Sequence, residues 1–195
     1  MDIAIIDYGA GNIQSIRFAL ERLGYHAELT SDAERIRSAD RVIFPGVGEA
    51  GSAMAKLVQS GLDKVVPELR QPVLGICLGM QLMCRYSEEG DTRGLGIFEV
   101  DVKRFPRGLK VPQIGWNSIH HLRGPLFEGI PEATYIYLVH SFYAPVSPDS
   151  IARSDYGFEY SAALGRDNFL GVQFHPEKSG ADGARMLRNF IEMPT

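Results

Sequence analysis

Apolar and polar residues follow two different patterns along this chain. In roughly the first half, short apolar runs alternate with stretches that repeat apolar residues every three or four positions. The runs predict buried strands and the periodic stretches predict amphipathic helices, an order typical of a parallel sheet with helices on both faces. The predicted strands are Ile3 to Asp7, His26 to Thr30, Arg41 to Phe44 and Pro72 to Ile76, and the predicted helices are Ile13 to Leu23, Ala53 to Leu69 with a break around Gly61, and one that follows the fourth strand through Tyr86.

From Gly94 the pattern changes to short alternating segments separated by proline and glycine, which predicts strands that are partly antiparallel. These segments are Gly96 to Phe105, Trp116 to His121, Tyr135 to Val139, Ile151 to Asp155, Phe158 to Leu164 and Phe169 to Phe174, followed by a terminal helix from Ala181 to Ile191. We therefore predict an α/β fold. It is a three-layer, flavodoxin-like open sheet, mostly parallel, with helices on both faces and a strand-rich second half, in one domain of residues 1–195.

Composition narrows the classes of function. The 195 residues are 45% hydrophobic and 23% charged, with a net charge of −4 and no run of Lys or Arg, which argues against a nucleic-acid or membrane-surface partner. A small-molecule substrate or a protein partner fits better. The start, Met1-Asp2-Ile3, has no basic region, and the apolar stretches are shorter than the ~18 residues of a membrane span, so we expect a cytoplasmic protein.

The segment Gly75-Ile76-Cys77-Leu78-Gly79 is the most informative motif. A G-x-C-x-G sequence directly after a strand and before a helix is the thiol version of a nucleophile elbow, in which small neighbours allow a sharp turn. The start of the helix would favour the negatively charged thiolate of Cys77. The alternative is a buried cysteine that acts as a small apolar residue, which is our interpretation of Cys84 among its apolar neighbours.

A thiolate nucleophile needs a base, and the chain contains five histidines. In His175-Pro176-Glu177 the imidazole and the carboxylate are two residues apart in extended chain, so both can lie on one side. Together with Cys77 they form a candidate set of nucleophile, base and orienting acid. The adjacent His120 and His121 predict no metal site, because neighbours in a strand point to opposite faces and no spaced ligand completes the set.

The glycine-rich segment Gly46-Val47-Gly48-Glu49-Ala50-Gly51 fits the dinucleotide pattern G-x-G-x-x-G. It follows the third strand rather than the first, Glu49 would bring negative charge to the phosphates, and no second domain is predicted. The preferred interpretation is an oxyanion hole, in which the backbone amides of Val47 or Gly48 and of Leu78 converge. A simple tight turn is the alternative.

Elbow, glycine loop and His-Pro-Glu sequence together resemble the class I, or triad, glutamine amidotransferases over nearly the whole chain. Within that family, six blocks resemble the glutaminase subunits of imidazole glycerol phosphate synthase. The blocks are Asp7-Tyr8-Gly9-Ala10-Gly11-Asn12, Phe44-Pro45-Gly46-Val47-Gly48, Gly75-Ile76-Cys77-Leu78-Gly79-Met80-Gln81, Ile114-Gly115-Trp116-Asn117, Val139-His140-Ser141-Phe142 and Phe174-His175-Pro176-Glu177-Lys178-Ser179. One departure is Gln113, where the resemblance leads us to expect a histidine.

The resemblance implies that glutamine is hydrolysed to glutamate through a Cys77 thioester, without cofactor or metal. It also implies that the ammonia passes to a cyclase subunit that makes imidazole glycerol phosphate and an aminoimidazole carboxamide ribotide in histidine biosynthesis. By position, the implied glutamine-binding residues are Gly48, Gln81, Glu89, His140, Ser141 and Phe142. The implied partner-facing residues are Asn12, Trp116, Asn117, Tyr135, Tyr137 and Lys178, although Tyr135 and Tyr137 could instead be core residues of an alternating strand.

Three alternatives stay open at this point. The chain could be a glutaminase that serves another synthase, such as one for aminobenzoate, anthranilate or pyridoxal phosphate. It could be a non-catalytic regulatory subunit that keeps the fold, or a nucleotide-binding protein. The glycine loop and the Gly-Trp-Asn block argue against the first, the intact Cys77, His175 and Glu177 argue against the second, and the third depends only on a glycine pattern.

Overall fold

A computed structural model describes residues 1–9 and 13–194 of the protein. The strands in these residues are β1 Ile3–Ile6, β2 Ala27–Thr30, β3 Arg41–Gly46, β4 Val73–Cys77, β5 Cys84–Ser87, β6 Thr92–Arg93, β7 Phe98–Arg104, β8 Gln113–His120, β9 Thr134–His140, β10 Phe142–Tyr143, β11 Ser150–Asp155, β12 Glu159–Arg166 and β13 Phe169–Val172. Nine of these strands form one sheet in the order β2-β1-β3-β4-β13-β12-β11-β8-β9, and four form a second sheet in the order β10-β7-β5-β6. The α-helices are α1 Ile13–Arg22, α2 Ala33–Ser38, α3 Ala50–Gln59, α4 Leu62–Val65, α5 Leu78–Met83 and α6 Gly180–Glu192.

The large sheet has a parallel half and an antiparallel half. Strands β2, β1, β3, β4 and β13 run parallel, and β12, β11, β8 and β9 continue the sheet with antiparallel neighbours. This arrangement confirms the predicted fold class, including its strand-rich second half. The parallel half matters for function, because ligands of open α/β sheets bind beyond the carboxyl ends of the strands.

Helices cover both faces of the parallel half, as predicted. One core cluster packs α1 and α6 against one face, and the other packs α2, α3, α4 and α5 against the opposite face. Alternate residues of β1 enter different clusters: Ile3 and Ile5 enter the first, and Ala4 and Ile6 the second. Burial on both faces explains why the central strands are continuous apolar runs rather than alternating ones.

The predicted helix through Tyr86 is wrong in its last three residues, Cys84 to Tyr86. Helix α5 ends at Met83, and Cys84 adopts extended backbone as the first residue of β5. The segment pairs with β6 and β7, so contacts distant in sequence outweigh the local helical pattern. Cys84 is therefore buried in the second sheet rather than on a helix, and its predicted role as an apolar core residue is unchanged.

Two further helices differ from the prediction. Helix α2 was not predicted, although Asp32 marks its start by accepting hydrogen bonds from the backbone N–H groups of Glu34 and Arg35. Helix α3 begins at Ala50 rather than Ala53, while the break at Gly61 is confirmed by its left-handed φ of 73°. In the described residues, no helix is both long and apolar enough to cross a membrane.

Candidate active site

Cys77 lies at the sharp turn between β4 and α5. Its backbone has φ 54° and ψ −111°, a conformation that is strained for any residue with a side chain. A Cβ atom at Gly79 would clash with the carbonyl oxygen of Phe44, and one at Gly75 would lie 2.8 Å from the amide nitrogen of Met80. The glycines therefore allow α5 to pack directly against the sheet, as the elbow predicts.

His175 and Glu177 meet as the sequence predicts. His175 follows β13, which runs parallel to β4, so it lies at the same carboxyl end of the strands as Cys77. Its Nδ1 atom lies 2.8 Å from Oε1 of Glu177, whose side chain is fully buried. The backbone of His175 is fixed as well, because its N–H donates to the carbonyl of Tyr137 in β9. The imidazole is thus held in one orientation from two sides.

The electrostatics of this group favour a protonated His175. Burial lowers the pKa of His175, but hydrogen bonds and charge interactions with Cys77 and Glu177 outweigh it and raise the pKa to about 9. Tyr8 donates its hydroxyl to the carbonyl of Pro45, and burial together with the charge of Cys77 raises the pKa of this phenol. At neutral pH, His175 is therefore protonated beside the sulfur and Tyr8 is neutral.

A cavity of about 370 Å³ opens above Cys77. It brings together every residue that the sequence assigned to an oxyanion hole or to glutamine binding, and it adds Pro112 and Val139, which were not predicted. The lining residues are Val47, Gly48, Cys77, Leu78, Gln81, Glu89, Pro112, Val139, His140, Ser141, Phe142, His175 and Lys178. Glu177 lies behind His175 and does not line the cavity.

The glycine loop after β3 forms one wall of this cavity. Gly48 adopts φ 97°, a value that favours glycine. Glu49 caps α3, because its carboxylate accepts hydrogen bonds from the backbone N–H groups of Gly51 and Ser52. Glu89 adds a second carboxylate at the same helix end through the N–H of Ala50. Two carboxylates therefore occupy the position where a dinucleotide phosphate would bind, which argues against the nucleotide-binding alternative.

The segment from His140 to Phe142 forms the opposite wall, where the chain passes from β9 to β10. The Nδ1 of His140 lies 2.7 Å from the carbonyl oxygen of Phe142, and its Nε2 lies 2.9 Å from the side-chain amide of Gln113. Burial lowers the pKa of His140 to about 4, so this ring is neutral where His175 is charged. The single N–H of the neutral ring donates to the Phe142 carbonyl, and Nε2 is then an acceptor that requires the amide nitrogen of Gln113 to face it. Gln113, the departure from the resemblance, is a buried neighbour of His140 and not part of an exposed surface.

Comparison with known proteins decides the family. The model of the family Glutamine amidotransferase class-I matches residues 4–193. The chain is 56% identical to the imidazole glycerol phosphate synthase subunit HisH of Bacteroides fragilis strain YCH46, over 99% of this chain and 100% of that protein. It is 47% identical to the protein of the same name from Haemophilus influenzae strain KW20, over 98% of each chain.

The chain belongs to the HisH group of class I glutamine amidotransferases. This confirms the resemblance predicted from the six sequence blocks. The crystal structure of another glutamine amidotransferase superposes with a TM-score of 0.76 over 97% of both chains, at 19% identity, which supports the fold alone.

In this HisH-group protein, the predicted partner-facing residues divide into two sets. Trp116 of β8 and Tyr137 of β9 are paired across the strands, with their ring centroids 6.0 Å apart, and Trp116 is 56% exposed. Tyr135 shares this face and is 62% exposed, so the alternative of a core position for it is wrong. Asn117 instead donates its amide to the carbonyl of Asp155, and Lys178 lies at the rim of the cavity. Asn12 lies outside the described residues.

The interpretation of His120 and His121 needs a correction. His121 adopts φ 54° at the end of β8, so the two rings are not directed to opposite faces as predicted. Their centroids lie 5.1 Å apart, and the ligand atoms of both rings and of Glu159 lie within 4.8 Å of one another. Glu159 already bonds His120 and Arg153, so its carboxylate is occupied by protein partners.

One polar side chain that contacts the sulfur, Gln173, was not predicted. Gln173 is fully buried, and its Nε2 donates to Sγ of Cys77 at 3.8 Å. It lies outside the elbow, the glycine loop and the His-Pro-Glu sequence. The available signal was a single amide in an otherwise apolar run, two residues before His175.

Proposed function

We propose that this chain hydrolyses L-glutamine to L-glutamate and ammonia at the cavity above Cys77. The observation that carries the proposal is the convergence of three groups at one edge of the sheet: a strained elbow cysteine, a protonated histidine beside it and a buried carboxylate that bonds the histidine. Membership of the class I glutamine amidotransferases supports the same chemistry.

In the first half of the reaction, the thiolate of Cys77 attacks the carbon of the glutamine side-chain amide. The carbonyl oxygen becomes an oxyanion, for which backbone N–H groups of the Val47–Gly48 loop and of Leu78 are the proposed donors. The C–N bond then breaks, and protonated His175 gives its proton to the departing nitrogen, which leaves as ammonia. A thioester on Cys77 and a neutral His175 remain.

In the second half, His175 takes a proton from water as the water oxygen attacks the thioester carbon. The C–S bond breaks, and the side-chain carboxylic acid that forms loses its proton to water, so that glutamate leaves. The thiolate of Cys77 beside protonated His175 is restored. Glu177 keeps Nδ1 of His175 protonated throughout, so that Nε2 is the nitrogen that exchanges the proton.

The remaining cavity residues are proposed to hold the amino acid head group. Gly48, Gln81 and the segment from His140 to Phe142 face the cavity on two sides, which suits a short substrate with a charged amine and a carboxylate. Glu89 supplies negative charge for the amine, and burial raises the pKa of this carboxyl. Protonation of Glu89 would weaken that contact.

The partner and the pathway are also proposed. The HisH relatives are named as subunits of imidazole glycerol phosphate synthase. We propose that a cyclase subunit binds the exposed face of β8 and β9, receives the ammonia and makes imidazole glycerol phosphate and aminoimidazole carboxamide ribotide for histidine biosynthesis. Ile114, Trp116 and Tyr135 are each more than half exposed on this face, which is unusual for large apolar residues that have no partner. A reducing cytoplasm suits the two free thiols, Cys77 and Cys84.

Glutamate release tests the proposal directly. The purified chain is assayed with glutamine, alone and with a cyclase subunit plus its ribotide substrate. We expect stimulated release that Cys77→Ala abolishes, while Cys84→Ala, a change at the other buried thiol, leaves it. Release that survives Cys77→Ala would refute the mechanism, and activation only by a different synthase would refute the pathway.

A further inference from the structure

A line of buried polar groups connects the wall of the cavity to the sulfur of Cys77. The carbonyl oxygen of Phe142 accepts a hydrogen bond from Nε2 of Gln81 at 3.0 Å. The same nitrogen donates to Oε1 of Gln173 at 2.8 Å, and Nε2 of Gln173 donates to Sγ of Cys77 at 3.8 Å. Gln81 is 4% exposed and Gln173 is fully buried, so bulk water competes little for these bonds.

The direction of every bond in this line follows from its first member. A backbone carbonyl can only accept, so Phe142 requires the amide nitrogen of Gln81 to face it. With both hydrogens of that nitrogen directed at acceptors, Gln173 must present its oxygen to Gln81. The nitrogen of Gln173 is then the atom that faces the sulfur. Neutral His140 reinforces the first member, because its Nδ1–H donates to the same carbonyl of Phe142.

Some of the groups around the sulfur favour the uncharged thiol and others favour the thiolate. The carbonyl of Val139 in β9 lies 3.9 Å away and can accept only from the uncharged thiol. Protonated His175, which follows β13, favours the thiolate. Tyr8, which follows β1, interacts electrostatically with Cys77 and is neutral. An N–H donor from Gln173 favours the thiolate, because a sulfur anion accepts a hydrogen bond much better than a thiol does.

We propose that Gln173 is a positioning residue for the nucleophile: its amide N–H, directed by the Phe142 carbonyl through Gln81, stabilises and orients the thiolate of Cys77. This inference deepens the proposed glutaminase function and depends on it for its biological meaning. We call this line of hydrogen bonds, from the Phe142 carbonyl through Gln81 to Gln173, the relay. It also links substrate binding to the nucleophile, because Gln81 lines the cavity and bonds Gln173 at the same time.

A purely structural role for the amide pair makes a different prediction. If Gln173 only satisfies Gln81 in the core, its loss would reduce stability without changing the charge state of the sulfur. The rate of alkylation of Cys77 as a function of pH separates the two, because iodoacetamide reacts with the thiolate and not with the thiol. Cys84 serves as an internal reference, since burial raises the pKa of its thiol and keeps it unreactive in the folded protein.

The experiment compares Gln173→Met with wild type between pH 5 and 10 and locates the label by peptide mass spectrometry. Methionine has a similar length but no N–H donor. We expect the rising limb of the Cys77 profile to move up by about one pH unit, which is a roughly tenfold slower reaction at any pH on that limb. The matched control is Gln71→Met. Gln71 lies just before β4, at the opposite end of that strand from Cys77, and its partly buried side-chain amide donates to the carbonyl of Ile36.

The outcomes decide the proposal. A Gln173→Met profile that coincides with wild type, or an equal shift in Gln71→Met, would overturn it. Gln81→Met keeps the Gln173 amide but removes what directs it, so we expect a smaller shift in the same direction. If Gln173→Met fails to fold, an unshifted Gln81→Met profile overturns the relay on its own. Because alkylation needs no glutamine turnover, failure of the relay is distinct from failure of the glutaminase assay.

Discussion

The two cavity histidines differ in charge although they lie in one site. Burial, with a minor contribution from the charge of His175, lowers the pKa of His140 to about 4. Cys77 and Glu177 overcome burial at His175 and raise its pKa to about 9. One ring can thus organise the cavity wall as a neutral hydrogen-bonding group while the other carries a proton, a division that suits proton transfer at neutral pH.

These shifts predict opposite effects of pH on stability. For His140 the unfolded chain binds the additional proton below its ordinary pKa of 6.5, so the free energy of unfolding falls as the pH drops from 6.5 towards 4. For His175 the folded chain binds the additional proton, so its stabilisation is complete below pH 6.5 and is lost as the pH rises towards 9. The combined contribution of the two histidines to the free energy of unfolding is therefore largest near pH 6.5.

Denaturant unfolding across this range, under reducing conditions, measures both contributions. We expect His175→Gln to remove much of the decrease in the free energy of unfolding above pH 6.5. His140→Gln should remove much of the decrease below pH 6.5. Each variant is the control for the other, because both remove a buried imidazole. If His175→Gln left the loss of stability above pH 6.5 at its wild-type size, the raised pKa assigned to His175 would be wrong.

At the residue scale, the sequence motifs identify the candidate residues whose type and spacing they require. Cys77, His175 and Glu177 could be found because an elbow and an His-Pro-Glu sequence require particular residue types at fixed spacing. Gln173 could not, because its contact with the sulfur arises from the pairing of β13 with β4. Spacing along one strand does not show what the neighbouring strand brings next to it.

Among the elements, the turn into α5 depends on the absence of one side chain. We expect Gly79→Ala to lower the free energy of unfolding by about 1–3 kcal/mol, because the added Cβ meets the backbone of β3 and not a flexible side chain. Alkylation of Cys77 should slow as well, since α5 must move. Chemical denaturation and labelling measure the two effects.

Gly24→Asn is the control for that change. Gly24 has a left-handed φ of 87° with open space around the site of a Cβ, so a side chain there is strained by its backbone alone and meets no neighbour. Asparagine is among the residues that tolerate this conformation best, and we expect a loss of about 1 kcal/mol, smaller than at Gly79. Similar losses in the two variants would show that close packing at Gly79 is not the cause.

Helix α2 offers a separate test, because it is short and distant from the cavity lining. Asp32 accepts hydrogen bonds from the N–H groups of Glu34 and Arg35, at 2.8 and 3.2 Å. Asp32→Ala should cost about 1 kcal/mol in unfolding free energy and leave glutamate release unchanged. The exposed neighbour Ser31→Ala should cost almost nothing. A large loss of activity in Asp32→Ala would reveal a link from α2 to the site.

Helices α2 and α5 also show where prediction of elements stops. The six residues of α2 bury only Ile36, too few for a visible period, so its cap was the one usable signal. The end of α5 is set by pairing of β5 with β7, whose residues follow more than ten positions later. Long, strongly periodic elements such as α1 and α6 were predicted within one or two residues.

For the whole molecule, the layered parallel half followed from alternation of strands and helices. The separate second sheet did not, because β5, β6 and β10 have only two to four residues and the strands lie apart along the chain. The large sheet runs without interruption from β2 to β9 through both halves, which supports our proposal that residues 1–195 form one domain.

The exposed face of β8 and β9 predicts a change in partner binding without a change in the nucleophile. Trp116→Ala should weaken stimulation by the cyclase subunit at least about tenfold, as expected for a central aromatic contact. The alkylation profile of Cys77 should stay as in wild type. Titration of glutamate release with the cyclase subunit measures the effect. Val58→Ala, at an exposed apolar residue of α3, is the control, and equal losses would refute the assigned face.

Strand β9 ends the large sheet, and an end strand can extend a sheet by pairing with another chain. In this protein the middle of that edge is already occupied: the N–H of Tyr137 donates to Oγ of Ser179, and its carbonyl accepts from the N–H of His175. Strand addition there would have to break the bonds that hold His175 in place. Self-association by strand pairing at β9 is therefore coupled to loss of the base, whereas a partner that contacts the side chains on the face of β8 and β9 leaves these bonds in place.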